Sequence, residues 1–217
     1  MRLHWPDCRN VRDLGGLPAA GGRTVRDRAL VRADSLNRLT ADGVAALHAH
    51  GVVRVVDLRG VDEAERWPSA LAGHAMVHSL PLIDPADDPA RDLPDLAPMG
   101  DVYRASIIGN GPRVAAVVAA VAAAPPGAVL VHCAAGQDRT GIVVAVLLRV
   151  AGVPDDEIAA DYAFSAVCRE RPGEAEPEAI LAALARVDEL FGDVEAYLRA
   201  NGIAEDRFAA VRARLAG

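Results

Sequence analysis

Lysine is absent from this chain of 217 residues, whose 23 basic residues are all arginine. Cysteine is scarce, and the three that occur have no paired spacing, which argues against a disulfide framework or a zinc site and is typical of a reducing compartment. No apolar run approaches the roughly 18 residues of a membrane span, and the start, MRLHWPDCRN, has no signal-peptide core. We therefore expect a soluble, cytoplasmic protein with free thiols and no membrane span.

The chain also lacks the charge pattern of a nucleic-acid-binding protein. Its formal net charge is -7, and it has no basic run and no ladder of aromatic residues. Acidic charge is concentrated in residues 84–101, which hold six Asp against Arg91 alone. No repeat at a fixed period and no Gly-x4-Gly-Lys-Ser/Thr nucleotide loop occurs. We expect no nucleic-acid partner, and the sequence leaves the oligomeric state open.

What is present is an alternation of short Val- and Leu-rich runs with longer helical patterns. This pattern is typical of an α/β domain with a central, mostly parallel sheet flanked by helices. The clearest strands are predicted over Val52–Asp57, 75–80 and Ala128–His132. The clearest helices between them are predicted over 40–50 and 113–123.

We expect a single domain over residues 1–217. Its α/β core is predicted over 1–152, and residues 153–217 form a helical cap or packing region. The Pro- and Asp-rich stretch 82–101 is predicted to be a long loop, of the kind that serves as a lid or binding loop. The helical portion is predicted to break at three places, Gly152, Pro172 and Gly202.

The run AVLVHCAAGQDRTGIVVAVLL, residues 128–148, predicts a buried strand, a sharp loop and a buried helix that begins near Arg139 or Thr140. Cys133 lies where the strand ends. The loop's backbone N–H groups are expected to point inward around an oxyanion, because the loop leads into a helix N-terminus that carries partial positive charge. The predicted phosphate-binding positions are Ala134, Ala135, Gly136, Gln137, Asp138 and Arg139.

The loop also contains a nucleophile and a cation. The helix end and a nearby guanidinium stabilise a thiolate, so Cys133 is predicted to be an ionised nucleophile. Arg139 lies six positions later and can fold back to hold two phosphate oxygens through parallel charge-assisted hydrogen bonds. We expect Thr140 to donate its hydroxyl to the sulfur and His132 to orient the loop.

The pattern Cys-x5-Arg-Thr-Gly, preceded by His, resembles the signature loop of the protein tyrosine phosphatase superfamily. With Asp138 directly before Arg139, the loop resembles that of one branch of the superfamily, the bacterial tyrosine-specific and lipid phosphatases, whose loop reads HCxxGKDRTG. Further segments match that branch in order: NVRDLGG at 10–16, LVRADSL at 30–36, VDLRGVDE at 56–63 and IAADY at 158–162.

The resemblance implies a sheet flanked by helices and hydrolysis of phosphomonoesters through a phosphocysteine intermediate, with no metal and no cofactor. The resemblance suggests phosphotyrosine in proteins as the first substrate. It also allows dual specificity. Gln137 departs from the usual Lys, which removes a positive charge from the pocket rim and makes phosphoinositides a less favoured substrate. The same departure, with the acidic stretch 84–101, would suit a small phosphorylated metabolite.

Two other classes of protein use such a loop. A phosphate-binding module without turnover is disfavoured because both Cys133 and Arg139 are present. A thiol enzyme such as an arsenate reductase is disfavoured because Cys8 and Cys168 are poorly placed in the sequence to act as resolving cysteines.

The general acid has two candidates. Asp138 is the preferred candidate. It lies within the loop, directly before Arg139, so it must be near the phosphate, and the resemblance implies acid or base chemistry for it. Asp84 follows the second predicted strand and could swing in on the long loop. Trp5-Pro6-Asp7 spells the mobile acid loop of eukaryotic tyrosine phosphatases, but it opens the chain instead of preceding the nucleophile within the core, and we interpret it as an N-terminal anchor.

For several other polar residues, the sequence allows either a functional or a purely structural role. Charged residues of the matching segments either shape the pocket or form buried salt bridges that hold loops together: Arg12, Asp13, Arg32, Asp57 and Arg59. His48 and His50 are expected at the surface without a metal, since residues two apart on a helix face different directions. Cys168 is expected in packing, and Cys8 is a candidate for a protective disulfide with Cys133.

Overall fold

The computed structural model describes residues 1–95 and 97–216. Leu96, within the loop predicted over 82–101, and Gly217, the end of the helical region predicted over 153–217, lie outside the described residues.

Strands are short, and most of them belong to one sheet. In chain order the strands are β1 (Arg12–Asp13), β2 (Pro18–Ala19), β3 (Arg23–Thr24), β4 (Leu30–Ala33), β5 (Val52–Asp57), β6 (Val77–Ser79) and β7 (Ala128–His132). The main sheet has the order β1-β4-β7-β5-β6, and β2 and β3 pair separately. Only β1 is antiparallel to its neighbour in the main sheet, while β4, β7, β5 and β6 run parallel. The expected α/β fold with a mostly parallel sheet is confirmed.

Helices connect the strands and make up the rest of the chain. Their bounds are α1 (Ala41–Ala49), α2 (Val61–Arg66), α3 (Met99–Gly109), α4 (Gly111–Ala122), α5 (Asp138–Val150), α6 (Asp155–Cys168), α7 (Pro177–Phe191), α8 (Val194–Ala200) and α9 (Glu205–Leu215). No single helix in the described ranges is long and apolar enough to span a membrane; α3 and α4, bent by 73°, meet the length and composition test only as a pair.

The alternation of side chains along β7 explains why the sheet is covered on both faces. Val129 and Val131 join a large hydrophobic cluster with residues of α3 to α9, whereas Ala128 and Leu130 join a smaller one that includes Leu47 of α1. Successive strand residues point to opposite faces, so β7 is buried on both. Helix α5 packs against β7 and against α4, α6, α7, α8 and α9, which fixes the loop that precedes it.

The element bounds differ from the sequence predictions mainly at ends and breaks. Helix α5 begins at Asp138, one or two residues earlier than predicted. The predicted loop over 82–101 contains a 3-10 turn at Pro85–Asp87 and ends at Met99, where α3 begins. Helix α3, MGDVYRASIIG, was not predicted. The C-terminal helices break at the three predicted places and also at Gly192, between α7 and α8.

Candidate active site

The loop between β7 and α5 begins with Cys133, whose side chain is only 2% exposed and lies on the face of the large cluster. The loop covers residues 133–137, and α5 starts at Asp138. Since the four parallel strands all end at this edge of the sheet, the loop lies where open α/β sheets bind ligands. The N-terminus of α5 adds partial positive charge to the loop.

The loop's outer side is held by side chains from β4 and from the segment before β1. Asn10 Nδ2 donates to the carbonyl oxygens of Ala135 (2.9 Å) and Gly136 (3.1 Å). Arg32 Nη2 donates to the Gly136 oxygen at 2.7 Å. The loop carbonyls therefore point away from the loop's concave side.

The first carbonyls of the loop are held in the same way. The Ser35 N–H donates to the Ala134 oxygen at 2.9 Å, and His132 Nδ1 lies 3.1 Å from the Cys133 oxygen. In a trans peptide the N–H points opposite to the C=O of the same plane. The N–H groups of residues 134–137 thus face the concave side, where they form a cradle suited to an oxyanion.

A buried carboxylate joins two of the arginines behind the loop. Asp161 on α6 accepts from Arg12 Nε at 2.7 Å and from Arg32 Nη1 at 2.6 Å, and Arg12 Nη1 also donates to Asn10 Oδ1 at 2.5 Å. Burial opposes ionisation of Asp161, but the charges of Arg32 and Arg12 outweigh it and hold its pKa below the ordinary value. The structure therefore favours a structural role for Arg12 and Arg32: they form buried salt bridges that hold the loop in place.

Asp57 and Arg59 form a second buried pair under the loop. Arg59 Nη2 donates to Asp57 Oδ2 at 2.7 Å, and its Nη1 donates to the Ser35 hydroxyl and the Trp67 carbonyl. His132 Nε2 lies 3.7 Å from Asp57 Oδ2, yet burial lowers the pKa of the fully buried imidazole. A neutral His132 donates through Nδ1 to the Cys133 carbonyl, as expected for a residue that orients the loop.

Asp13 has a structural role, and its contact with His50 contradicts the expectation that His50 lies at the surface. Its carboxylate accepts from the N–H groups of Gly15 (2.8 Å) and Arg28 (2.9 Å) and lies 2.7 Å from His50 Nε2. His50 is therefore mostly buried against the Asp13 carboxylate, and the prediction that it lies at the surface is wrong; His48 is exposed. Helical periodicity cannot reveal this pair because Asp13 comes from another element.

Arg139 pairs with a residue that sequence reasoning missed. Its Nη1 and Nη2 donate to the two carboxylate oxygens of Glu63 on α2, at 2.7 and 3.1 Å. Burial alone would lower the pKa of Arg139, but the hydrogen bonds to Glu63 and the nearby charge of Cys133 raise it above the ordinary value. Glu63 ends the segment VDLRGVDE, yet only the fold brings it to the arginine.

A cavity of about 720 Å³ opens beside Arg139. Its apolar wall includes Trp67 and Val61, which are 51% and 59% exposed. Such a volume falls in the range of small-molecule sites. The lining residues are Gly60, Val61, Asp62, Glu63, Arg66, Trp67, Pro81, Ile83, Asp84, Pro85, Arg113 and Arg139.

The two candidate acids lie in different surroundings. Asp84 lines the cavity with Arg139, and its Oδ2 is 3.3 Å from Arg113 Nη2. Asp138 accepts through Oδ1 from the buried hydroxyl of Tyr103. Both carboxyl groups thus remain candidates.

Gln137 does not face the loop's concave side. Its Nε2 donates to the Glu174 carbonyl at 2.7 Å, and its Oε1 accepts from Arg169, which also donates to the Glu174 carboxylate at 2.9 Å. A guanidinium therefore lies beside this position even though the residue itself is neutral. Because this guanidinium is paired with the Glu174 carboxylate, it does not replace the positive charge of a lysine at position 137.

The remaining cysteines, Cys8 and Cys168, are both buried. Cys8 belongs to the smaller cluster and Cys133 to the larger, and both thiols are free. Cys8 donates to Asp34 Oδ1 at 3.0 Å, and burial with this charge raises the pKa of its thiol. A Cys8–Cys133 disulfide does not form in this arrangement. Cys168 is also free and buried, as expected of a packing residue.

Two further expectations concern Thr140 and the N-terminal tripeptide. The Thr140 hydroxyl is buried and has no hydrogen-bond partner among the described residues, so the expected contact with the sulfur is not formed here. Trp5 is buried against His50, with ring centroids 6.1 Å apart, in the smaller cluster. This position agrees with an N-terminal anchor.

The fold and loop define an α/β protein with a cysteine-containing loop at the carboxyl edge of a mostly parallel sheet. The profile of the tyrosine phosphatase family matches residues 3–217. The chain belongs to this family and is a phosphatase.

Two relatives, from Nostoc commune and Mycobacterium tuberculosis, agree with that assignment. "Tyrosine-protein phosphatase" of Nostoc commune is 33% identical over 233 residues, covering 91% of this chain and 78% of the relative. "Triple specificity protein phosphatase PtpB" of Mycobacterium tuberculosis is 31% identical over 276 residues, covering 98% of each. The crystal structure of P. aeruginosa TpbA is 22% identical and covers 82% of this chain and 89% of its own, with a TM-score of 0.45.

Proposed function

We propose that the chain hydrolyses phosphomonoesters through a phosphocysteine formed on Cys133, with phosphotyrosine in proteins as its main substrate. The observation that carries this proposal is the placement of Cys133 at the start of a loop whose carbonyls are all bonded outward. Inward N–H groups can hold the three non-bridging oxygens of a phosphoryl group while the sulfur attacks.

The reaction has two steps. In the first, the Cys133 sulfur forms a bond to phosphorus while the ester P–O bond breaks, and the leaving oxygen takes a proton from an aspartic acid. In the second, water attacks phosphorus and gives a proton to that aspartate. The S–P bond then breaks, which releases inorganic phosphate and the thiolate.

Arg139 is assigned to the phosphoryl oxygens. A guanidinium can form two parallel hydrogen bonds to a phosphoryl group just as it does to a carboxylate. The paired contacts with Glu63 are of that type, so substrate phosphate would compete with the Glu63 carboxylate for the same donors.

The cavity supports an aromatic leaving group. Trp67 and Val61 form an exposed apolar wall beside Arg139, and an aryl ring gains more from such a wall than a sugar does. The names of the relatives also support protein substrates. A small phosphorylated metabolite is the second candidate, favoured by a cavity volume of about 720 Å³, which is typical of small-molecule sites.

Release of inorganic phosphate by the Cys133→Ser variant tests the mechanism. We expect loss of at least ~10³-fold with an aryl phosphate, because a hydroxyl is a far weaker nucleophile than a thiolate at neutral pH. Cys8→Ser is the matched control, since a serine hydroxyl can keep the hydrogen bond to Asp34. Retained turnover in Cys133→Ser would refute the cysteine mechanism, and we expect a chelator to leave wild-type turnover unchanged.

The same assay identifies the substrate class. We expect phosphotyrosine peptides to be hydrolysed with a higher kcat/KM than phosphoserine peptides, phosphoinositides or aminocyclitol phosphates. A preference for an aminocyclitol phosphate would replace the protein substrate by the metabolite. Tight phosphopeptide binding without phosphate release would instead favour a binding module.

A further inference from the structure

Two buried tyrosines stand behind Asp138, and neither takes part in the reaction outlined above. Tyr103 on α3 is 1% exposed and donates its hydroxyl to Asp138 Oδ1. Tyr162 on α6 is 2% exposed, and its hydroxyl oxygen lies 2.7 Å from that of Tyr103. A row of hydroxyls thus leads from α6 through α3 to the first residue of α5.

The direction of these hydrogen bonds follows from the number of protons. A phenol has one proton, and a carboxylate can only accept, so the Tyr103 proton is used on Asp138. Tyr162 must therefore donate to the Tyr103 oxygen. Burial, together with the charge of Asp138, raises the pKa of Tyr103, and burial raises that of Tyr162, so both hydroxyls keep their protons.

The contact makes the two oxygens of Asp138 unequal. Oδ1 accepts from Tyr103, whereas Oδ2 has no hydrogen-bond partner in the described part of the chain. When Asp138 takes up a proton, that proton is carried by Oδ2, because Oδ1 already faces a donor hydrogen. The tyrosine therefore determines which oxygen can deliver a proton.

We propose that Tyr103, supported by Tyr162, is a positioning residue that keeps the transferable proton of Asp138 on Oδ2. This inference rests on the proposed function and on Asp138 as the general acid. It gives α3 a part in the reaction without placing any of its residues against the substrate.

The dependence on the leaving group tests the inference. Tyr103→Phe keeps the ring and removes the hydroxyl. General acids contribute on the order of 10²- to 10⁴-fold, so a misoriented one should cost about 10-fold or more in kcat/KM for phenyl phosphate, whose leaving group needs a proton. For 2,4-dinitrophenyl phosphate, whose leaving group departs as an anion, we expect a change below about 2-fold. Tyr162→Phe should act in the same direction, more weakly.

The pH profile provides a second measurement. The ionisable groups that face Asp138 are Tyr103, Tyr162 and Arg139. A carboxylate that loses a hydrogen-bond donor holds its proton more tightly. The basic limb of kcat/KM, where the acid loses its proton, should therefore move to higher pH in Tyr103→Phe.

A matched control separates positioning from loss of stability. Tyr197 is also fully buried, and its hydroxyl donates to a carbonyl of α3, that of Ile107, at 2.6 Å. Tyr197→Phe removes a buried hydrogen bond to the same helix without touching Asp138. We expect it to leave both the leaving-group dependence and the pH profile unchanged.

A double-variant cycle with Asp138→Asn completes the test. Tyr103→Phe should add no further loss for phenyl phosphate in that background. An additive loss, or a Tyr103→Phe enzyme that treats both substrates as wild type does, would overturn the inference. So would an Asp138→Asn enzyme with unchanged leaving-group dependence. Each of these results leaves the phosphocysteine mechanism intact, because that mechanism is tested separately by the Cys133→Ser variant.

Discussion

Gly136 shows how closely the loop that begins at Cys133 approaches the neighbouring strand β4. Its φ is +66°, and a Cβ atom at this position would lie 2.4 Å from the carbonyl oxygen of Ala33 and 2.6 Å from the Asp34 nitrogen. Both are backbone atoms of fixed position. Only glycine can therefore occupy this point, where Arg32 and Asn10 also bind the carbonyl.

The variant Gly136→Ala should lose stability and phosphatase activity together. A left-handed conformation costs about 1–2 kcal/mol for alanine, and forced overpacking adds about 1–3 kcal/mol, so urea denaturation should show a loss of about 2–5 kcal/mol.

Gly173→Ala is the matched control for Gly136→Ala. Gly173 also has a positive φ, +85°, but a Cβ there would meet nothing within 4 Å. We expect only the conformational loss of about 1–2 kcal/mol. Equal losses in the two variants would contradict the close contact with Ala33.

Helix α6 acts on the loop from behind, although it contributes no residue to the concave side. Asp161 holds Arg12 and Arg32, and these two hold Asn10 and the Gly136 carbonyl. Three of the four segments that carry the family resemblance, 10–16, 30–36 and 158–162, thus meet at one carboxylate. Their order in the chain could be recognised without any knowledge that they touch.

Replacing Asp161 by Asn should leave two buried guanidinium groups without a counter-ion. Breaking a buried pair by removing one partner costs about 3–5 kcal/mol, and we expect that loss in denaturant unfolding together with weaker phosphate binding. Asp155→Asn is the control on the same helix: it pairs with Arg149 but its side chain is 44% exposed, so we expect about 0–1 kcal/mol. A small loss at Asp161 would show that the loop is held without it.

The molecule as a whole buries ionisable groups around the sheet, and this couples its stability to pH. His132 is fully buried and its pKa lies below the ordinary 6.5. Above pH 6.5 the imidazole is neutral in both the folded and the unfolded chain. Below it, the unfolded chain takes up a proton that the folded chain does not, so stability falls as the pH drops.

We expect the free energy of unfolding to decrease by up to about 1.4 kcal/mol per pH unit below pH 6.5 through His132. His132→Asn, whose amide can donate as Nδ1 does, should lack this slope. Asp161 and Asp57 have pKa values held below the ordinary 3.8, so they contribute above that pH and lose their contribution only at lower pH. Urea unfolding at pH 5 and pH 7.5 measures the difference, and identical slopes would exclude His132 as its source.

The strands β5 and β7 and the position of Cys133 could be predicted because they depend on short-range patterns: runs of apolar residues and a cysteine followed by glycine, arginine and threonine. Helix α3 was not predicted: its apolar residues alternate with Gly, Asp, Arg and Ser, and the face that includes Tyr103 and Ile107 is buried by packing against α7. Glu63 and Tyr103 were also missed, because each meets its partner, Arg139 or Asp138, only in the folded chain. The cytoplasmic location and the division at residue 152 stay predictions.

By itself, the sequence determined the class of this protein, because a strand, a phosphate loop and a helix N-terminus follow each other within some twenty residues and need no distant partner to be recognised. Only the tertiary structure decided how the loop is held, that Glu63 binds Arg139, and that a tyrosine pair stands behind Asp138. These contacts join residues that are far apart in sequence, and local propensity carries no information about which distant side chain will fill a given hydrogen bond.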